Sequence, residues 1–323
     1  MKRKYSRVLA VVALMLAGSA TAQQYPLKPV RLVVAFVGAT AEIYSRMIAQ
    51  QMTESFGQQV IVDPRGGANG IVGSEIVAKS PPDGYTLLAA TDGSHTINPQ
   101  IYSRIPYDAQ RSFEPVSQYF DAPLMLVVHP SLPAGNVKEF IGFVRAHPGE
   151  ITYASVGSGS SMHLAGELLA ITVGVKMVHV PYKGGGGQQL TGIIGGEVAS
   201  GFTNPAIAIP MAKVGKLRAL AIANRSRLAA MPELPTLEQA GDLPGFLAVT
   251  WTGMFAPAGT PAEIVQRLAA EVAKTVRRPD VREHMTSLGL VPVGNTPEEF
   301  SRRIRSDTER YGKLIKQIGL RVD

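Results

Sequence analysis

Chemistry in this 323-residue chain has to be done without cysteine, which excludes disulfides, thiolate metal sites, iron–sulfur clusters and thiol nucleophiles. The histidines, His95, His129, His147, His163, His179 and His284, are scattered, with no pair at metal-ligand spacing on one helix. No G-x-S-x-G elbow, H-E-x-x-H pair, phosphate-binding G-x-x-x-x-G-K-[ST] or complete G-x-G-x-x-G occurs. Ser160 and His163 stand three residues apart at a helix start, but no orienting acid and no oxyanion site accompany them, so no catalytic residue is assigned. What the chain does offer is four small, hydroxyl-rich loops: Val37-Gly38-Ala39-Thr40-Ala41, Thr91-Asp92-Gly93-Ser94-His95, Ser155-Val156-Gly157-Ser158-Gly159-Ser160-Ser161 and Thr203-Asn204. Any one of them is explained by a tight turn. Together, each after a predicted strand, they point to a cleft that holds an anion with hydroxyls and with the free N–H groups of helix starts.

The elements that position these loops follow from apolar patterning. Residues 30–36 read as a buried strand, followed by a helix with Ile43, Met47, Ile48 and Met52 on one side. Strands at 59–62 and 85–90 flank a helix marked by Val72, Ile76 and Val77. This β-α-β-α-β order predicts a parallel sheet covered on both faces. A second set comprises helices at 137–146, 162–171, 188–194 and 207–214, alternating with strands at 151–154, 177–180, 198–202 and 217–222. Two α/β sheets of similar size are therefore expected. Thr260-Pro261-Ala262-Glu263 and Thr296-Pro297-Glu298-Glu299 predict two further helix starts of one design, with Thr as N-cap, Pro at N1 and Glu at N3. The first aligns Ile264, Leu268, Val272 and Val276, the second Phe300, Ile304, Leu314 and Ile318, as packing faces. The run Tyr182-Lys183-Gly184-Gly185-Gly186-Gly187 has its lysine before the glycines and no Ser or Thr after them. It reads as a flexible turn at a cleft edge.

The formal charge is +7, which raises nucleic acid or a membrane surface as a partner. Residues 1–22 carry a basic head (Lys2, Arg3, Lys4, Arg7), an apolar run over 8–17 and the small residues Ser19-Ala20-Thr21-Ala22. That is a secretory leader with predicted cleavage after Ala22. Its four positive charges, with no acid among them, reduce +7 to +3 for the mature chain. The remaining charge forms no basic run, so no nucleic-acid partner is expected. The product is expected to be exported, to the periplasm in a Gram-negative cell.

Several stretches resemble one family: Tyr25-Pro26-Leu27-Lys28-Pro29-Val30-Arg31, Pro82-Asp83-Gly84-Tyr85-Thr86-Leu87, Ile97-Asn98-Pro99 and Val180-Pro181-Tyr182-Lys183-Gly184. Gly215-Lys216-Leu217-Arg218-Ala219-Leu220-Ala221, Pro232-Glu233-Leu234-Pro235-Thr236 and Phe255-Ala256-Pro257-Ala258-Gly259-Thr260-Pro261 continue the match in order. The mature chain resembles the Bug-type extracytoplasmic solute receptors of tripartite tricarboxylate transporters. The resemblance implies a type II periplasmic-binding-protein fold: two α/β domains, 23–125 with 249–323 and 126–248, closing on a small carboxylate. It implies no catalysis and no cofactor. The expected partners are that carboxylate and membrane transporter subunits, or a sensor protein, with the receptor acting as a monomer; a hydrolase using the same cleft is the competing class. Trp251 falls in a crossing strand and reads as a core aromatic.

The candidate ligand contacts are Phe36, Gly38, Ala39, Thr40, Ala41, Thr91, Ser94, His95, Ser158, Gly159, Ser160, Ser161, His163, Thr203 and Asn204. Three features depart from the family pattern. The first loop lacks the prolines and paired glycines and has Glu42 where Asp is usual; Thr203 stands where Asp is common; Gly192 replaces a frequent Asp. These changes suit a more anionic solute, or else a changed or weakened site.

Overall fold

The computed structural model of the protein describes residues 25–36, 40–182 and 185–322. The expected leader, Gly38 and Ala39 of the first loop, and Lys183 and Gly184 of the glycine run lie outside these residues. The strands are β1 (Val30–Val34), β2 (Val60–Pro64), β3 (Thr86–Thr91), β4 (Phe113–Pro123), β5 (Met125–Val128), β6 (Thr152–Ser155), β7 (Val178–Pro181), β8 (Ser200–Thr203), β9 (Arg218–Ile222), β10 (Val249–Pro257) and β11 (Val291–Pro292). They form two sheets, ordered β11-β4-β10-β3-β1-β2 and β7-β6-β8-β5-β9. The parallel pairing expected of the β-α-β-α-β stretch holds for β1, β2 and β3, and each complete sheet is mixed because antiparallel strands are added to it. Strand β10 runs antiparallel to β3 and β4, and β5 antiparallel to β8 and β9, while β1–β2, β1–β3, β6–β7 and β6–β8 are parallel.

The antiparallel strands mark where the chain changes sheet. It leaves the first sheet at the end of β4, enters the second at β5, and returns at the start of β10. These two passages are bonded side by side. The N–H of Leu124 donates to Ala248 O at 2.8 Å, that of Ala248 to Ala223 O at 3.1 Å, and that of Ala223 to Leu124 O at 2.8 Å.

Alternation along the strands gives each sheet two buried faces. On β1, Val30, Leu32 and Val34 meet Tyr44, Ile48 and Met52 of helix Thr40–Phe56 and Leu268 and Val272 of helix Ala262–Arg277. Val33 faces the other way, into a cluster with Leu88, Trp251, Phe255 and Phe300. In the second sheet Leu126 and Phe202 pack on Phe140 and Leu169, while Met125 and Val127 pack on Ile193 and Ile209. Each such side chain taken out of water stabilises the fold by roughly 1.5–3 kcal/mol.

Two local expectations shift. Helix Thr40–Phe56 buries Ala41, Tyr44, Ser45, Ile48, Ala49 and Met52, whereas Ile43 is 57% exposed. Small and polar residues fill this face because Ser45 bonds back to Ala41 O and Tyr44 reaches Nδ1 of His284 at 3.2 Å. Of the twin helix starts, Thr296 and Glu299 form the expected capping box on helix Pro297–Ile318. Thr260 caps nothing. Its buried hydroxyl donates to Pro257 O at 2.7 Å and closes the turn after β10, so helix Ala262–Arg277 begins after Pro261 without a side-chain cap. Among the described residues no helix is long and apolar enough to cross a membrane.

Candidate functional site

In the first lobe the loops follow β1 and β3. Phe36 ends the first loop's described part, and Thr40 and Ala41 open the helix beyond it. After β3, Thr91 Oγ1 accepts the N–H of Gly93 at 3.2 Å and Ser94 donates its hydroxyl to Thr91 O at 3.1 Å. A third segment, absent from the candidate loops, joins them. Ala68, Asn69 and Gly70 take φ of 47°, 51° and 85° in succession. A side chain at Gly70 would meet the Phe36 ring at 2.8 Å and Ser94 Cβ at 3.2 Å. Asn69 Nδ2 donates to Asn98 Oδ1 at 2.7 Å and Asn98 Nδ2 to Asn69 O at 2.9 Å. Holding Ala68 and Asn69 left-handed costs of order 1 kcal/mol each. The local signal was Gly66-Gly67-Ala68-Asn69-Gly70, three glycines and an asparagine in five residues.

His95 is turned into the core. It stacks on Phe255 with ring centroids 4.0 Å apart and lies 4.8 Å from the Phe113 ring. Burial pushes its pKa down to about 3, so the ring is neutral; its Nδ1 is 2.9 Å from Ser94 Oγ. Asp92, also buried, anchors the loop from within and accepts the Thr250 hydroxyl at 2.5 Å and the Tyr311 hydroxyl at 3.0 Å. Burial pushes its carboxyl up to about 6 against these two hydrogen bonds. The loop is thereby tied to β10 and to helix Pro297–Ile318. That helix is tied to the chain passages in turn: Asp307 accepts Trp251 Nε1 at 3.0 Å, Arg303 Nε at 2.7 Å and Arg310 Nη2 at 3.0 Å. Arg303 reaches Asp121 of β4 at 3.3 Å and Arg310 reaches Leu247 O at 3.0 Å.

In the second lobe the loops follow β6 and β8. Ser160 is the N-cap of helix Ser161–Val173; its hydroxyl accepts the N–H of His163 at 3.2 Å and donates to Gly157 O at 2.8 Å. The His163 ring accepts the N–H of Gly159 at Nδ1, 3.0 Å away, so Ser160 and His163 are not a nucleophile–base pair. Ser158 is exposed and Ser161 half-buried. After β8, Asn204 caps helix Pro205–Lys213 through the Ala206 N–H at 2.9 Å, and the buried Thr203 hydroxyl has no partner among the described residues. Gln189 Nε2 bonds the carbonyls of Ala154 at 3.0 Å and Phe202 at 2.6 Å, joining the ends of β6 and β8.

The lobes meet at both second-lobe loops. A side chain at Gly159 would overlap Ile101 of the first lobe, and one at Gly289 of the first lobe would meet Pro205 Cβ at 2.7 Å. Three helix starts, at Thr40, Ser161 and Pro205, follow strands β1, β6 and β8. Such starts, with hydroxyls beside them, can hold an anion without a metal or a charged side chain. Among the described residues no group of His, Asp and Glu could hold a metal ion.

A model of the tripartite tricarboxylate transporter family receptor matches residues 44–320. The chain belongs to that family. It is 37% identical over 322 residues to the UPF0065 protein in the tcbD-tcbE intergenic region of Pseudomonas sp. (strain P51), covering 98% of this chain and 95% of the relative. Among solved structures it is similar to the R. palustris protein Rpa4515 with adipate (33% identity, TM-score 0.86, 92% of this chain and 99% of that one). It is also similar to the periplasmic binding protein BugD (30%, 0.82, 92% and 99%). A third is MatC from Rhodopseudomonas palustris with bound malate (30%, 0.81, 90% and 100%). The two mixed sheets are thus the lobes of a Bug-type receptor with a periplasmic-binding-protein fold. The family is one of solute receptors, not of enzymes.

Proposed function

We propose that this receptor captures a small organic carboxylate between its lobes in the periplasm and delivers it, as a monomer, to the membrane subunits of a tripartite transporter. The observation that carries the proposal is the set of uncharged donors at the strand ends of both lobes. Similarity to proteins solved with adipate and with malate supports a carboxylate as what they bind. The proposed contacts are Phe36, Gly38, Ala39, Thr40, Ala41, Thr91 and Ser94 from one lobe, and Ser158, Gly159, Ser160, Ser161, Thr203 and Asn204 from the other. His95 and His163, buried behind these loops, support them rather than touch the solute.

Closure requires a ligand that binds the closed arrangement better than the open one, and donors on both lobes provide that difference. The bonded passages at Leu124 and Ala248 support a hinge there, with 23–125 plus 249–323 moving against 126–248. The leader read over residues 1–22 supports export. A thermal-shift screen of mono-, di- and tricarboxylates, aromatic ones included, tests the proposal. A saturating ligand at 100 times its Kd adds about 2.7 kcal/mol and raises the melting temperature. Indifference to every carboxylate would refute it.

A further inference from the structure

Behind the third loop sits a cluster that carbon packing does not require. The imidazoles of His163, on helix Ser161–Val173, and His179, on β7, are stacked with centroids 3.8 Å apart and an interplanar angle of 17°. Each ring bonds one end of the loop. His179 Nε2 lies 2.6 Å from Ser155 Oγ, which accepts the N–H of Gly157 at 3.0 Å. His163 Nδ1 accepts the N–H of Gly159 at 3.0 Å. A ring nitrogen that accepts an N–H carries no proton, so His163 is the neutral Nε2–H tautomer; its Nε2 faces Glu167 at 3.8 Å. The other groups at the cluster are Tyr153 of β6, which donates its hydroxyl to Glu167 at 2.5 Å, and Glu167 itself.

We propose that His163 is the positioning residue of the ligand-binding loop, its Nδ1 holding the left-handed turn at Gly159 (φ +77°) that presents Ser158, Ser160 and Ser161, with His179 as its stacking support. This inference rests on the reading that the loop binds carboxylate. Protonation at Nδ1 turns the acceptor into a donor facing the Gly159 N–H, and two stacked cations repel. Acid therefore opens the loop. Burial holds both rings down, to about 4 each, His163 further opposing charge on His179 and Glu167 favouring it. The loop stays formed at neutral pH and loosens as the pH falls toward 4.

The test uses the full mature protein, amide hydrogen exchange of residues 156–161 without ligand, and titration with adipate and malate as probes. His163→Phe keeps a ring to stack on and removes the acceptor; the Oδ1 of His163→Asn can replace Nδ1. Loss of one buried hydrogen bond to the loop is expected to speed Gly159 exchange and weaken binding about tenfold in the Phe variant. The Asn variant is expected to recover most of both and to lose the acid-induced fall in Gly159 protection, relative to intrinsic exchange, that the ligand-free parent shows between pH 6 and 4; affinities are compared at pH 7, where the probes are fully ionised. Parent-like exchange and affinity in the Phe variant, or a parent-like acid profile in the Asn variant, would overturn the proposal. If the Phe variant does not fold, the acid profile of the Asn variant decides. If neither probe binds the parent, the carboxylate reading fails for these solutes, and Gly159 exchange alone decides the role of His163.

Discussion

Lowering the pH from 7 to 5 protonates histidines in the unfolded chain but not the histidines that this fold buries. His95 titrates near 3 and His163 near 4, because burial penalises the cation. Between 6.5 and those values the unfolded chain binds protons that the folded one refuses, so stability falls as the pH falls. At pH 5 an unfolded histidine lies about 1.5 pH units below its ordinary pKa, a cost of about 2 kcal/mol for each buried ring. His179, partly exposed on β7, is screened and adds about half as much. Asp92 acts in the opposite sense: raised to about 6 by burial, it takes up its proton earlier when folded and returns about 1 kcal/mol over the same interval. Asp63 and Asp280, held low with arginine partners, lose their contribution only below 3.8. The net expectation is a loss of about 4 kcal/mol from pH 7 to 5, a substantial share of a typical folding free energy of 5–15 kcal/mol. Urea unfolding at pH 7, 6 and 5 measures it, and His95→Phe should flatten the dependence by about 2 kcal/mol. A urea midpoint that does not change between pH 7 and 5, or an unaltered slope in His95→Phe, would refute the reasoning.

Four substitutions probe the frame around the site. Asp307→Ala takes the shared carboxylate from Arg303 and Arg310, both half-buried and left with Asp121 and Leu247 O, and should cost about 1.5–3 kcal/mol in urea unfolding, with a red shift in the emission of Trp251, the single tryptophan, whose Nε1–H loses its acceptor. Thr296→Ala should cost about 1 kcal/mol and speed amide exchange in the first turn of helix Pro297–Ile318; Thr260→Ala should leave exchange in helix Ala262–Arg277 unchanged, since that hydroxyl does not cap it. Gly159→Ala places a side chain at φ +77° against Ile101; it should destabilise by about 1–3 kcal/mol and enlarge the protein in small-angle scattering by prising the lobes apart.

The alternating strands and helices were legible because their apolar runs are short and bounded, as in residues 30–36 and 198–202. Strand β4 was not. Glu114, Ser117, Gln118 and Asp121 break its apolar pattern, and the partners that make them tolerable are distant in sequence: Asn295 Oδ1 accepts the Gln118 N–H and Asn295 O accepts the Ser117 hydroxyl, while Arg303 pairs with Asp121. The hydroxyl-rich loops were visible as composition, and the capping role of Asn204 agrees with a helix start. The Asp92–Tyr311 link and the His163–His179 stack were not visible, because each joins residues from different elements through contacts that no local pattern encodes.

The central claim is that both lobes contribute uncharged donors to one carboxylate. Its most direct test is calorimetric titration of the strongest carboxylate from the thermal-shift screen into the parent and into Thr40→Val/Thr203→Val, which removes one hydroxyl from each lobe, that of Thr203 having no partner among the described residues. One-to-one saturable binding in the parent, weakened at least tenfold in the double variant, is the expected result. Equal affinity in the two proteins would contradict the account.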